Sequence, residues 1–193
     1  MANKGRAKVL DKAIFDDFVA NSAKTNQGDL LNLVACLGYY AGLRVGTIAA
    51  LELDDVIDKQ GNVKETAYID GEKMKGGKPY TAYFNHPRLV SAILKYINES
   101  RRPTKVRNLL ITRKNTAYSP KSLSALIEKK WKDYGYQGYS HHSFRRSYAS
   151  SIIEKGGDIT LLRTLMNHSS ITTTSIYVSN DPKTLKRMVA SLD

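Results

Sequence analysis

The stretch "HHSFRRSYAS", residues 141–150, holds two histidines, two arginines and a tyrosine in ten positions. His142 and Arg145 stand three apart at what reads as the start of a helix, so both side chains reach one surface. Together an imidazole and a guanidinium offer several donors to a phosphate or sulfate, and the planar arginine fork can hold two oxygens at once. A basic helix can carry "HxxR" with no site attached, so the motif alone leaves both readings open. A second stretch, "LLRTLMNHSSITTTSIYV", places His168 nine residues before Tyr177 with a Ser/Thr-rich turn between them. A tyrosine close to histidines and an arginine can act as a nucleophile, because cationic donors favour its phenolate and stabilise charge on an attacked phosphate. The competing reading is packing: the chain has 12 tyrosines, and most tyrosines are amphipathic residues with a wet hydroxyl.

These residues need a scaffold. "KVLDKAIFDDFVANSAK" carries apolar residues at 10, 14, 15, 18 and 19 behind Asp11, a pattern that predicts a capped amphipathic helix. "GDLLNLVACLGYYAG" repeats it with a wider apolar face, and "LRVGTIAALELDDV" reads as a short helix running into an acidic turn. "VKETAYID" and "YTAYFN" alternate as strands on either side of the basic, Gly-rich turn "GEKMKGGKP". A small antiparallel sheet of two or three strands follows from them. Helical patterning returns in "PRLVSAILKYINES", in "SPKSLSALIEKKWKDYG" with Ser119 as cap and Pro120 in the first turn, and in "SFRRSYASSIIEKGG", which a Gly pair closes. "LLIT" is a short extended piece, "DITLLRTLMNH" follows the Gly pair, and a last helix is expected from about Pro182. The expected class is α+β: mostly helical, one domain over residues 1–193, with one small sheet.

Thirty Lys and Arg against 18 Asp and Glu leave a net charge of +12 in 193 residues, which makes a polyanion, most simply nucleic acid, the first partner to consider. Ribosomal and membrane-surface proteins share this charge. With 41% hydrophobic and 25% charged residues the composition excludes disorder and coiled coil. The lone Cys36 lies in an apolar run and reads as a core residue, so no disulfide framework is possible. The stretch from Leu30 to Leu43 is interrupted by Asn32 and too short to span a bilayer, and no signal-peptide segment is visible, so an intracellular, cytoplasmic protein without a membrane partner is expected.

Taken in order and with their separations, "AGLRVGTIAALELDDV", "KGGKPYTAYF" and "HHSFRRSYASSIIEKGGDITLLRTLMNHSSITTTSIYV" resemble the catalytic domain of the tyrosine recombinases, the phage integrase and Xer-type family. The resemblance implies that family's fold and a site-specific DNA recombinase, an integrase-type strand transferase that works without metal, ATP or other cofactor. It implies that Arg44 and Arg145 clamp the scissile phosphate, with His142 and His168 as further donors. Tyr177 is then the nucleophile that forms a 3′-phosphotyrosyl link. Lys75 of "KGGK" matches the family's general acid, with Lys73 and Lys78 as competitors for that role. Tyr148 becomes a packing residue, while His141 and Arg146 are expected to contact DNA or solvent. The sequence also lacks "GxxxxGK[ST]", "HExxH" and any cysteine pair.

Three departures from the family pattern stand out: Thr47 where many members carry an acid, Asn167 in place of the glycine of "LGH", and "HSFRRS" for "HDLRHT". The expected organisation has no separate N-terminal core-binding domain. Double-stranded DNA and other copies of the chain, in a tetrameric synapse, are the implied partners. "RRPTKVR", "TRK" and "EKKWK" would track the phosphate backbone, and the tail "DPKTLKRMVASLD" would dock on a neighbouring protomer. Type IB topoisomerase activity and a non-catalytic DNA-binding regulator are the alternatives.

Overall fold

The computed structural model describes residues 7–71, 78–99, 105–168 and 170–175. The chain divides into two compact units, Met1–Tyr148 and Ala149–Asp193.

The first unit opens with α1 (Lys12–Ala23), where Asp11 caps as expected and its carboxylate accepts the Ile14 N–H at 2.8 Å. Helix α2 (Gly28–Tyr40) is the centre of the core: Leu30, Leu31, Leu33, Val34, Ala35, Cys36 and Leu37 are all buried. The apolar face of "LLNLVACL" is wide because α1 and α5 (Pro87–Glu99) both pack against this helix. The segment expected to be a short helix running into an acidic turn is α3 (Val45–Ala50), and the acidic turn is itself a four-residue helix, α4 (Leu53–Val56). Between them Leu51 turns extended at ψ 138° and is fully buried, while Glu52 and Asp55 close a reciprocal capping box. Burial of Leu51 thus outweighs continuation of the helix.

Strands β1 (Thr66–Ile69) and β2 (Tyr80–Tyr83) pair antiparallel with Ile69 opposite Tyr80 and Ala67 opposite Ala82. Ala67, Ile69 and Ala82 form the inward face, and Tyr68 and Tyr83 lie outside. The "LLIT" piece is tied to its neighbours by isolated bridges, Glu52 to Asn108 and Ile111 to Ala117, so among the described residues the sheet has two strands. Helix α6 (Pro120–Asp133) begins at Ser119, whose hydroxyl accepts the Ser122 N–H at 3.1 Å, with Pro120 in its first turn. Trp131 of α6 is completely buried, with its ring 4.3 Å from Phe18 and 5.5 Å from Phe144.

Phe144 belongs to α7 (His141–Glu154), within which the two units meet in sequence. In the second unit Gly156, at φ +83°, and Gly157 close α7, α8 (Ile159–Leu165) starts at the Asp158 cap, and α9 (Ile171–Ser175) follows. No helix among the described residues is long and apolar enough to cross a membrane.

Candidate active site

Arg44 owes its place to the end of α2. Gly42 takes φ +64°, a conformation costly for any residue with a Cβ, and the Leu43 N–H turns back to the Leu37 carbonyl at 3.1 Å. Arg44 follows in extended conformation, at φ −76° and ψ 149°, as the N-cap of α3. The arginine therefore sits on a turn that α2, Leu43 and α3 hold from three sides.

Helix α7 brings the second arginine to the same turn. Its start is a pair of reciprocal serine bonds: Ser140 Oγ accepts the His142 N–H at 3.2 Å, and Ser143 Oγ accepts the Ser140 N–H at 3.1 Å. Close approach to α2 requires Gly38, since a Cβ there would lie 2.7 Å from the Phe144 Cβ. One residue on, Arg145 is 5% exposed and its Nη1 donates to the Gly42 carbonyl. Tyr148 then covers Gly42, where an added Cβ would stand 2.5 Å from the tyrosine ring. "AGLR" and "HxxR", a hundred residues apart in sequence, are thus built on one turn.

The electrostatics follow from this placement. The His142 side chain is exposed, yet the protein crowding its ring lowers its pKa, and the charges of Arg145 and Arg44 lower it further against Glu128, so all three motif residues share one environment. Neutral imidazole beside two guanidiniums makes an anion-seeking surface whose histidine can donate or accept a proton. Tyr148 is pushed up to about 12 by burial, with Arg145 opposing, which suits a packing residue rather than a phenolate. Burial likewise pushes the Cys36 thiol up to about 12, in keeping with a core residue.

His141 and Arg146, both half-buried, also make contacts within the protein. The His141 Nδ1 and Ser124 Oγ of α6 are 3.0 Å apart, its ring lies 4.0 Å from that of His142, and burial pushes its pKa down to about 4. Arg146 Nη1 donates to the Ala7 carbonyl. Both residues hold α7 to its surroundings; spacing along a helix does not reveal this, because the partners come from α6 and the N-terminal segment.

In the second unit, His168 is fixed by local structure. Asn167 has φ +45°, and its N–H and that of His168 return to Thr164 and Arg163. The position of the family's glycine thus needs a positive φ, and asparagine is among the residues that tolerate it. His168 Nδ1 and Thr174 Oγ1 share a hydrogen bond at 2.9 Å, and Thr174 is fully buried. Thr174 was hidden in a run of similar residues, with no signal to single it out.

Tyr177, Lys73, Lys75 and the tail from Asp181 lie outside the described residues, and Lys78 is exposed just before β2. Thr47 is 3% exposed in α3, so the position that is acidic in many members points into the fold. Part of the basic track is committed to surface ion pairs: Arg107 with Glu52 and Asp54, Lys129 and Lys130 with Asp133. The described residues contain no group of three or more His, Cys, Asp or Glu that could hold a metal ion.

Comparison with known proteins places this arrangement. The crystal structure of XerA recombinase superposes with a TM-score of 0.74 at 20% identity, covering 96% of this chain and 65% of that one. The Tn1549 transposon integrase, solved with circular intermediate DNA, gives 0.75 at 15% identity, covering all of this chain and 68% of that one. The fold is that of a tyrosine recombinase catalytic domain. In sequence, tyrosine recombinase XerA of Pyrococcus furiosus is 27% identical over 185 residues, 94% of this chain and 62% of the relative. The pattern defining the phage integrase family matches residues 8–184, and the chain belongs to that family. It spans about three fifths of the XerA length and 55% of XerD from Rickettsia bellii.

Proposed function

We propose that the protein is a site-specific DNA recombinase acting through a covalent 3′-phosphotyrosyl intermediate. The observation that carries this reading is the shared turn at Gly42, which supports Arg44 and Arg145 together and leaves His142 in their combined field. Two guanidiniums suit the non-bridging oxygens of a phosphodiester, whose negative charge grows as a fifth oxygen approaches phosphorus. Tyr177 supplies that oxygen: its phenol loses a proton, the new O–P bond forms, and the P–O5′ bond breaks. Lys75 gives its proton to the departing 5′ oxygen, with Lys73 and Lys78 as the other candidates. His142 and His168 donate to the phosphate or manage the tyrosine proton. Attack by a 5′ hydroxyl of another strand reverses the step, so bond energy is conserved in the intermediate. Double-stranded DNA is the substrate, and a second strand's hydroxyl requires further copies of the chain, ideally four, on two duplexes.

The test is covalent capture. A pool of nicked duplexes with randomised centres, in which cleavage releases a short 5′-hydroxyl fragment, is incubated with the protein and then denatured. A DNA adduct with sequence preference, absent in Tyr177→Phe, is expected. An adduct without preference that accompanies supercoil relaxation would indicate a topoisomerase, and no adduct would indicate a binding protein.

A further inference from the structure

Tyr80 opens β2, two residues after Lys78 and the basic, Gly-rich stretch of sequence that precedes it. Its register partner is Ile69, so its ring lies on the inward face of the sheet beside Ala67 and Ala82 and packs against the core. The hydroxyl oxygen is buried and has no hydrogen-bond partner among the described residues. Burial raises the phenol's pKa, so it remains an O–H at neutral pH, and the positive charges whose fields reach it are those of Arg145 and Arg44. Tyr148, which covers Gly42 at the same turn, also feels the Tyr80 phenol electrostatically.

A phenylalanine would fill this place with the same ring and no unpaired oxygen. An unpaired buried hydroxyl destabilises the fold, and one that lies beside a functional site calls for an explanation in the work of that site. Solvent does not reach the oxygen, so a DNA phosphate does not reach it directly either. A guanidinium has donors to spare, because its five N–H groups exceed what one phosphate uses, and the charges of Arg145 and Arg44 already act on this phenol.

We propose that Tyr80 is a positioning residue for the arginine pair: with phosphate bound, its hydroxyl oxygen accepts an N–H of Arg44 or Arg145 that the phosphate leaves over, and so fixes the plane of the fork. The inference rests on the recombinase reading above. It assigns the tyrosine no contact with DNA and no part in proton transfer.

Tyr80→Phe removes only the hydroxyl, and the probe is a nicked suicide duplex recovered from the randomised pool by wild-type capture. Three readouts are expected: a thermal midpoint equal to or above wild type, unchanged affinity for the duplex, and a single-turnover adduct rate about 10-fold lower. In Arg44→Lys and Arg145→Lys backgrounds, each of which has lost one fork, the same substitution should cost less than about 2-fold in at least one, the one whose fork Tyr80 fixes. A wild-type rate in Tyr80→Phe would overturn the inference, as would a lowered midpoint or an equal loss in wild type and both lysine backgrounds, each of which marks a structural hydroxyl. If wild type captures no duplex, the recombinase reading itself fails, an outcome separate from a null effect of the substitution.

Discussion

The two arginines and His168 are held in opposite ways. Arg44 and Arg145 depend on contacts between distant segments: a turn with φ +64° at Gly42, a helix approach at Gly38 and a tyrosine ring laid over the turn. His168 depends on neighbours within six residues, an asparagine turn and one threonine hydroxyl. The difference teaches where precision comes from. A guanidinium fork must match two oxygens in a plane, and a buried scaffold can hold it so before substrate arrives. A single imidazole donor has a looser requirement, which a short local motif can meet.

The largest effect should therefore come from the scaffolded half. Arg145→Ala is expected to lower the single-turnover adduct rate by roughly 10³-fold and to leave the Gly42 carbonyl without this donor, costing about 1–3 kcal/mol in stability. Arg145→Lys keeps the charge and loses the fork, and should recover only part of the rate. Stopped-flow or quench assays of adduct formation, with thermal melts alongside, check both. Next, Gly42→Ala forces a Cβ into a left-handed turn against the Tyr148 ring. A loss of about 3 kcal/mol, read as a midpoint lowered by about 10 °C, is expected; an unchanged midpoint would show that the turn can relax and that the arginines do not depend on it.

The local half should respond more mildly. Thr174→Val removes the hydroxyl that meets His168 while keeping the shape of the side chain, and should slow adduct formation about 10-fold at a cost near 1 kcal/mol. A loss as large as that of Arg145→Ala would erase the contrast between the halves. Smallest is a pH effect at α7. His141 drops from 6.5 to about 4 through burial first and the His142 charge second. Its folded pKa is depressed, so the unfolded chain binds more protons below pH 6.5, and stability present above that value is lost as pH falls toward 4. His141→Phe should flatten this part of the melting-temperature profile.

Legibility in the sequence followed the same division. Caps at Asp11 and Ser119, the helical periodicity and the two strands were readable because each depends on residues within a few positions. That the acidic turn after α3 is itself helical, as α4, was not, since the capping box that starts it depends on Leu51 being drawn extended into the core. "HxxR" and "GLR" were visible as motifs, yet that they share a turn depends on Gly38 meeting Phe144 across the fold. His141 and Arg146 look like surface charges in a basic helix, and their partners, Ser124 and Ala7, can be found only in three dimensions. Tyr80 is one of 12 tyrosines with no mark in its sequence neighbourhood, and only the unpaired hydroxyl distinguishes it.

The central claim is that one tyrosine attacks a phosphodiester held by the arginine pair. Its most direct test is to digest the captured adduct with trypsin and nuclease and locate the residual nucleotide by mass spectrometry. The account predicts a 3′-phosphate-linked nucleotide on the peptide containing Tyr177, with yield collapsing in Arg145→Ala. A nucleotide on Tyr148, Tyr80 or any other residue, or a 5′-phosphate linkage, would contradict it.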